Sequence, residues 1–204
     1  MSREVTLSIA QVVPDTEAEG PGRRFAVWMQ GCPLRCPGCC NPEMLPFQGG
    51  ERVAAADLAR RALAVDGIEG VSLLGGEPFA HAEGCAAFAR AVRAGGLGVM
   101  IYSGFTHAEL EAKAAGEPFV ADLLGACDLL VDGRFERDRP ERERRWIGSS
   151  NQSMVFLSSR YDPSDPRFRA PNTVELRLKD GELVVNGWPG LAAAVLPRRS
   201  RWTR

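Results

Sequence analysis

The sequence predicts an α/β fold with a mostly parallel sheet. Two observations carry that reading. Short apolar runs of strand length alternate with helix-period segments at least four times. The residues able to do chemistry gather where those runs end, the edge at which α/β folds bind their ligands. The 204 residues suffice for a sizeable core, so one domain is expected over 1–204, with its core at about 19–155 and a terminal segment at about 170–204. A formal net charge of −1 gives no overall pull toward nucleic acid or anionic membrane. No stretch approaches the roughly 18 apolar residues of a membrane span. The first residues lack the basic start and apolar run of a secretory signal. A cytoplasmic location, where thiols stay reduced, is therefore expected.

Val5, Leu7 and Ile9 alternate with polar neighbours, which is a strand pattern. Gly20-Pro21-Gly22 is a turn, and Phe25 to Gln30 reads as a buried strand. Arg24, between them, reads as a surface residue, while the resemblance described below implies a place near the site.

That strand delivers Cys32, Cys36 and Cys39, a C-x3-C-x2-C set. Gly31, Pro33, Pro37 and Gly38 forbid a regular helix, leaving an irregular loop that can turn three thiolates toward one place. Three thiolates hold three irons of a [4Fe-4S] cube and leave the fourth for a ligand that is not protein, whereas four Cys normally hold an electron-transfer cluster. Zinc asks for four ligands, usually in two separated pairs, and no second C-x2-C occurs in the chain. A disulfide framework is disfavoured in a chain of this length without a secretory signal.

The spacing resembles that of radical S-adenosylmethionine (SAM) enzymes. The resemblance implies a [4Fe-4S] cluster on Cys32, Cys36 and Cys39, with SAM chelating the open iron. Gly20-Pro21-Gly22 with Arg24-Phe25 and Gln30-Gly31-Cys32 resembles the entry segment of glycyl-radical-enzyme activases. Cys36-Pro37-Gly38-Cys39 with Asn41 is similar to the anaerobic ribonucleotide reductase-activating proteins. One departure stands out: Cys40 occupies the place where that family usually carries an aromatic.

Val53 to Val65 has Leu58, Ala62 and Val65 on one face, an amphipathic helix. Val71 to Leu74 is a short buried strand running into Gly75-Gly76-Glu77-Pro78. Glycines at a strand end allow close backbone approach, and the run resembles the GGEP motif that contacts the SAM amino group. Gly75, Gly76 and Glu77 are SAM-binding on that resemblance. His81 is expected to be structural.

Glu83 to Arg93 is a helix with Cys85, Phe88, Ala89 and Val92 inward, so Cys85 reads as core. Val99 to Tyr102 is a third strand of this kind. Tyr102-Ser103-Gly104-Phe105 resembles a strand end that lines the SAM pocket, which implicates Ser103 and Gly104. Thr106 and Glu109 form a capping box for the next helix, with His107 solvent-facing.

The segment from Asp122 to Val131 contains a fourth apolar strand, Cys127 to Val131, followed by Asp132-Gly133-Arg134-Phe135. An acidic residue there belongs to the ligand rim; Asp132 touches ribose, orients a basic group or caps a turn. Glu136 to Arg145 is a dense mixture of both charges broken by Pro140, read as a solvated loop or as a partner-docking surface. Gly148-Ser149-Ser150-Asn151-Gln152 again matches the activating proteins. Asn172 to Leu178 and Glu182 to Val185 read as a β-hairpin with an Asp-Gly turn. The basic tail from Arg198 to Arg204 reads as a frayed terminus, with a grip on an acidic partner as the alternative.

The resemblance further implies a partial (βα) barrel of radical SAM type, open on one side. It implies reductive cleavage of SAM to a 5'-deoxyadenosyl radical that forms a glycyl radical on a partner enzyme, anaerobic ribonucleotide reductase first. A flavodoxin- or ferredoxin-type electron donor follows from the same resemblance. The alternatives are a radical SAM enzyme acting on a peptide or small metabolite, and a non-catalytic iron-sulfur sensor. No nucleic-acid or membrane partner is expected.

Overall fold

A computed structural model describes residues 3–179 and 182–188. Strand β1 (Thr6–Thr16) precedes β2 (Arg24–Met29), the cysteine loop, β3 (Glu51–Ala54) and α1 (Ala55–Leu63). Then come β4 (Gly70–Gly75), α2 (Ala82–Ala94), β5 (Gly98–Tyr102), α3 (His107–Ala114), α4 (Pro118–Ala126) and β6 (Leu129–Asp132). Strand β7 (Ser153–Phe156) and the hairpin β8 (Val174–Lys179) and β9 (Glu182–Gly187) complete the described residues.

Seven strands form one sheet in the order β3-β1-β2-β4-β5-β6-β7. The four central strands β2, β4, β5 and β6 are parallel; β1 pairs antiparallel with β2 and β7 with β6, and β3, antiparallel to β1, runs in the direction of the central four. The sheet is open, with β3 and β7 at its edges and no closed barrel among the described residues. The expected α/β class with a parallel central sheet and a terminal hairpin is found.

Side-chain alternation along the central strands splits the core into two faces. Phe25, Val27, Met29, Leu73, Ile101 and Leu130 pack against the helices, meeting Leu58, Ala62, Phe88, Val92, Leu110 and Leu123. Burying each of these large apolar side chains contributes roughly 1.5–3 kcal/mol. The other face carries Ala26, Trp28, Leu74, Met100, Leu129 and Val131. It meets Met44, Trp146, Ile147 and Phe168, from loops and single 3-10 turns, instead of α-helices. Loops cover a sheet less completely than helices, and this is the face that opens into a cavity.

Cys85 and Cys127 are core residues whose thiols burial pushes well above the ordinary range. The capping box on α3 forms with both of its bonds. His107 is partly covered, its side chain 28% exposed. The segment from Asp122 to Val131 divides differently from its apolar pattern: α4 ends at Ala126, and only Leu129–Asp132 is strand. Strands β3 and β7, each four residues long, carry too few residues for a distinguishable period, and helix α4, apolar at Phe119, Val120, Leu123 and Leu124, shows no one-sided stripe.

Arg24 is neither on the surface nor at the strand end that carries the cysteines. It is fully buried at the opposite end of β2. Its guanidinium donates to Ser72 Oγ at 2.7 Å, Pro21 O at 3.0 Å and Tyr161 Oη at 2.9 Å, and also to Val71 O and Gly98 O. The Asp-Gly turn of the hairpin and the tail from Arg198 lie outside the described residues.

Candidate functional site

The parallel pairing of β2 with β4 sets Met29 opposite Gly75, so the cysteine loop and the glycine turn leave the sheet side by side. The backbone at Gly31 turns with φ +108°, and its N–H donates to Met44 O at 2.9 Å. Cys32 N–H donates to Leu45 O at 3.1 Å, and the Gln30 amide donates to Glu43 O and Pro46 O. These bonds tie the return of the loop to its start.

Gly76 N–H donates to Met29 O at 2.9 Å and Glu77 N–H to Gly31 O at 3.0 Å. A Cβ on Gly76 would lie 2.3 Å from Gly31 O, so the approach of the two turns requires glycine there. Gly75 sits at φ +95° against Trp28 for the same reason.

Glu77 points inward and is buried. Its Oε1 accepts from Phe79 N at 3.0 Å and Ser103 Oγ at 2.9 Å, and its Oε2 accepts from Gly104 N at 2.9 Å. Burial pushes the carboxyl up to about 7, against three donors that favour the ionised form. Glu77 therefore joins the ends of β4 and β5. Asp132 does the same further along, accepting from His107 N at 2.6 Å and Ser153 N at 3.2 Å.

The Gly148 to Gln152 stretch stitches the next wall. Gln152 Oε1 accepts from Gly148 N and Ser149 N, while Gln152 Nε2 donates to Gly133 O at 2.9 Å. In the preceding loop, which is largely exposed, the buried Glu141 accepts from the backbone N–H groups of Arg142, Glu143 and Arg144.

These walls enclose a cavity of about 800 Å³. Cys32, Cys36 and Cys39 line it together with Gly75, Gly76, Glu77 and Gly104. Ser103 and Asp132 stand behind the wall, Ser103 holding Glu77, which lines it, and Asp132 holding His107 and Ser153, which do not. Sequence reasoning missed Glu19 and the aromatic wall of Trp28, Trp146 and Trp188. Burial pushes the Glu19 carboxyl up to about 7, while Gly187 N donates to its Oε1 at 2.7 Å. Its position beside Gly20-Pro21-Gly22 was the available signal.

None of the six cysteines is in a disulfide. A hydrogen bond from Cys40 lowers Cys39 to about 6, burial opposes, and Asn41 N adds a bond to Cys39 Sγ at 3.4 Å. The Cys39 bond and burial together raise Cys40. Burial also raises Cys32, partly offset by the backbone N–H groups of Leu34 and Arg35. His81 is lowered by burial, with Nε2 3.3 Å from Gly31 O, a structural placement.

Among the described residues, no three His, Cys, Asp or Glu side chains close on a point as one metal ion requires. An iron-sulfur cube spreads its thiolates over separate irons, which is a different demand. Three cysteines on one cavity wall, one of them already biased toward thiolate, are a donor set that fits such a cube.

A parallel α/β sheet with a three-cysteine loop at the carboxyl edge of its first parallel strand, facing a cavity, defines an iron-sulfur class of protein. The chain belongs to the 4Fe-4S single cluster domain family, whose model matches residues 18–155. It is 28% identical over 164 residues to the anaerobic ribonucleoside-triphosphate reductase-activating protein of Pasteurella multocida, covering 76% of this chain and 100% of that one. The Escherichia coli K12 protein of the same name is 30% identical over 156 residues, covering 72% of this chain and 97% of that one. A putative glycyl-radical enzyme activating enzyme of Haemophilus influenzae is 33% identical over 97 residues, 46% of this chain and 37% of that one. The family expected from the motifs is the family found. No helix among the described residues is long and apolar enough to cross a membrane.

Proposed function

We propose that this chain is a radical SAM enzyme of the glycyl-radical-activating type, with anaerobic ribonucleotide reductase as its target. The observation that carries the reading is the packing of Gly76 on the Gly31 carbonyl, which puts the glycine turn and the cysteine loop on one cavity. The similarity to proteins named as activating proteins of that reductase supports the target.

In this reading Cys32, Cys36 and Cys39 hold a [4Fe-4S] cluster. A cluster held there would supply one-electron reducing chemistry, and SAM bound beside it would supply the group that abstracts a glycine hydrogen. Gly75 and Gly76 admit the methionine end of SAM close to the backbone. Glu77 and Ser103 keep the rims of β4 and β5 in register, Gly104 offers a surface without a side chain, and Asp132 fastens the β6 rim. The open sheet serves as the partial barrel of this enzyme class, its uncovered side admitting a protein substrate. A flavodoxin- or ferredoxin-type protein donates the electron, and the cytoplasm is the compartment.

The test is 5'-deoxyadenosine formation by anaerobically reconstituted, dithionite-reduced protein, followed by electron paramagnetic resonance of the target reductase. A glycyl radical on the reductase supports the proposal. Cluster assembly with no SAM cleavage, even with the target present, would overturn it in favour of a sensor. A mass change on a small molecule with no glycyl radical would move the reading to another substrate.

A further inference from the structure

The hairpin β8–β9 reverses the polarity usual for strands lying on a protein body. The charged side chains of Glu175 and Arg177 face inward. Glu175 Oε1 accepts from Glu17 N at 2.8 Å, and Arg177 donates to Asn186 Oδ1 at 2.6 Å and to Asp15 O. Asn186 Nδ2 donates to Thr16 Oγ1 at 2.9 Å, and Gly187 N donates to the buried Glu19. Its leucines face out: Leu176 is 53% exposed, Leu178 79% and Leu183 48%.

The register makes these leucines one surface. Leu178 pairs with Leu183 and Leu176 with Val185, so all four lie on the same face. Leu183 and Val185 also line the cavity that holds the cysteines, and Val185 is buried there. An apolar track thus runs from solvent at Leu178 into the site. It lies beyond residues 18–155, outside the matched family domain. A sheet face this apolar, held in place by polar bonds on its opposite face, marks a contact surface.

From this continuity, and resting on the function proposed above, we infer that the outer face of the hairpin docks the target enzyme. The occupant is an extended segment of the target, apolar on the side chains flanking its reactive glycine. A polar nucleoside and amino acid the size of SAM has no use for leucines outside the cavity. A polypeptide that must reach in from outside does, and an extended strand presents alternate side chains to such a face. Because Glu19, Thr16, Asp15 and Glu17 already hold the hairpin, docking there directs the segment toward the cysteine wall.

The experiment compares wild type with the L176S/L178S double variant, both cluster-loaded, against the purified anaerobic ribonucleotide reductase of the source organism. Neither leucine lines the cavity, and both are exposed, so cluster content and SAM cleavage without the target should stay within about twofold. Binding of the reductase should weaken at least roughly tenfold, with a matching fall in glycyl-radical yield at subsaturating reductase. The L176M/L178M variant should restore both. Unchanged affinity and yield in the serine variant would overturn the inference while leaving the proposed function standing. So would a wild-type dimer that the serine variant dissociates without loss of reductase affinity, since a second copy would then cover the face. Failure of the wild type to cleave SAM with or without the reductase would instead remove the proposed function itself, and this inference with it.

Discussion

Ser103 Oγ donates to Glu77 Oε1 at 2.9 Å, and this bond joins the carboxyl ends of β4 and β5. Without it Glu77 keeps only the backbone donors of Phe79 and Gly104. Ser103→Ala is expected to cost about 1–3 kcal/mol, the range for losing a partner of a buried charged group. SAM affinity should fall with it, because Gly104 and Glu77 then no longer share one fixed wall. Denaturant unfolding and equilibrium dialysis against SAM measure the two effects; no change in either would mean the bond is dispensable.

Gly76→Ala places a Cβ against a backbone carbonyl that cannot move aside without displacing the cysteine loop. A loss of about 2–4 kcal/mol is expected, with reduced iron incorporation. Gly116→Ala is the control, having no neighbour within 4 Å of the new Cβ. That substitution should be neutral or slightly stabilising, by up to about 1 kcal/mol. Thermal unfolding of both variants makes the comparison, and equal losses would contradict the close-approach argument.

Cys36 is half-buried on the cavity wall. Cys36→Ala should leave the fold intact and remove one cluster ligand. Iron and sulfide per chain should drop severalfold after reconstitution, and 5'-deoxyadenosine should fall by at least about two orders of magnitude. A variant that keeps the full cluster spectrum would take Cys36 out of the ligand set.

Arg24 serves acceptors from Pro21, Val71, Ser72, Gly98 and Tyr161 without exposure to solvent. Arg24→Met leaves them unpaired and should cost on the order of 3–5 kcal/mol. Arg24→Lys should recover little of it, since an ammonium cannot reproduce the planar fork. Activity per cluster-loaded molecule should be unchanged in whatever fraction folds, as the residue lies at the far end of β2. A selective loss of turnover without loss of stability would return Arg24 to the site.

Glu19 is raised by burial from 4.5 to about 7, with Glu175 and Arg177 of β8 acting on it in opposite directions. The folded state then binds a proton that the unfolded state has already lost. Its contribution is present in full below about pH 4.5 and is lost as pH rises to about 7. That loss is on the order of 3 kcal/mol. Glu77 titrates in the same window for the same reason. Glu19→Gln should therefore remove the Glu19 share of the pH dependence between pH 5 and 8, making stability fall less as pH rises, measured by unfolding at each pH. An unaltered profile would show that Glu19 does not titrate there.

The cysteine loop was legible because glycine, proline and thiol spacing act through local geometry. So were the glycine turn after β4, the capping box of Thr106 and Glu109, and the inward stripe of α2 from Cys85 to Val92. Each depends on residues within about one turn of one another. Strands β3 and β7 were not legible, since a four-residue edge strand is defined by its neighbour in the sheet. Arg24 was open for a similar reason, because its acceptors come from β4, the start of β5 and Tyr161.

By itself, then, the sequence determined the α/β alternation, the three candidate ligands and the turn that accompanies them. Tertiary structure alone decided which face of the sheet opens and which carboxylates point into its walls. Glu77 and Asp132 look alike as acidic residues at strand ends, yet the first joins a wall that lines the cavity and the second stands behind it. Glu19 enters the wall through a bond to Gly187, 168 residues away. The physical reason is range: backbone turns and side-chain period are set by neighbours in the chain, whereas burial and hydrogen-bond partners are set by whatever the fold brings alongside.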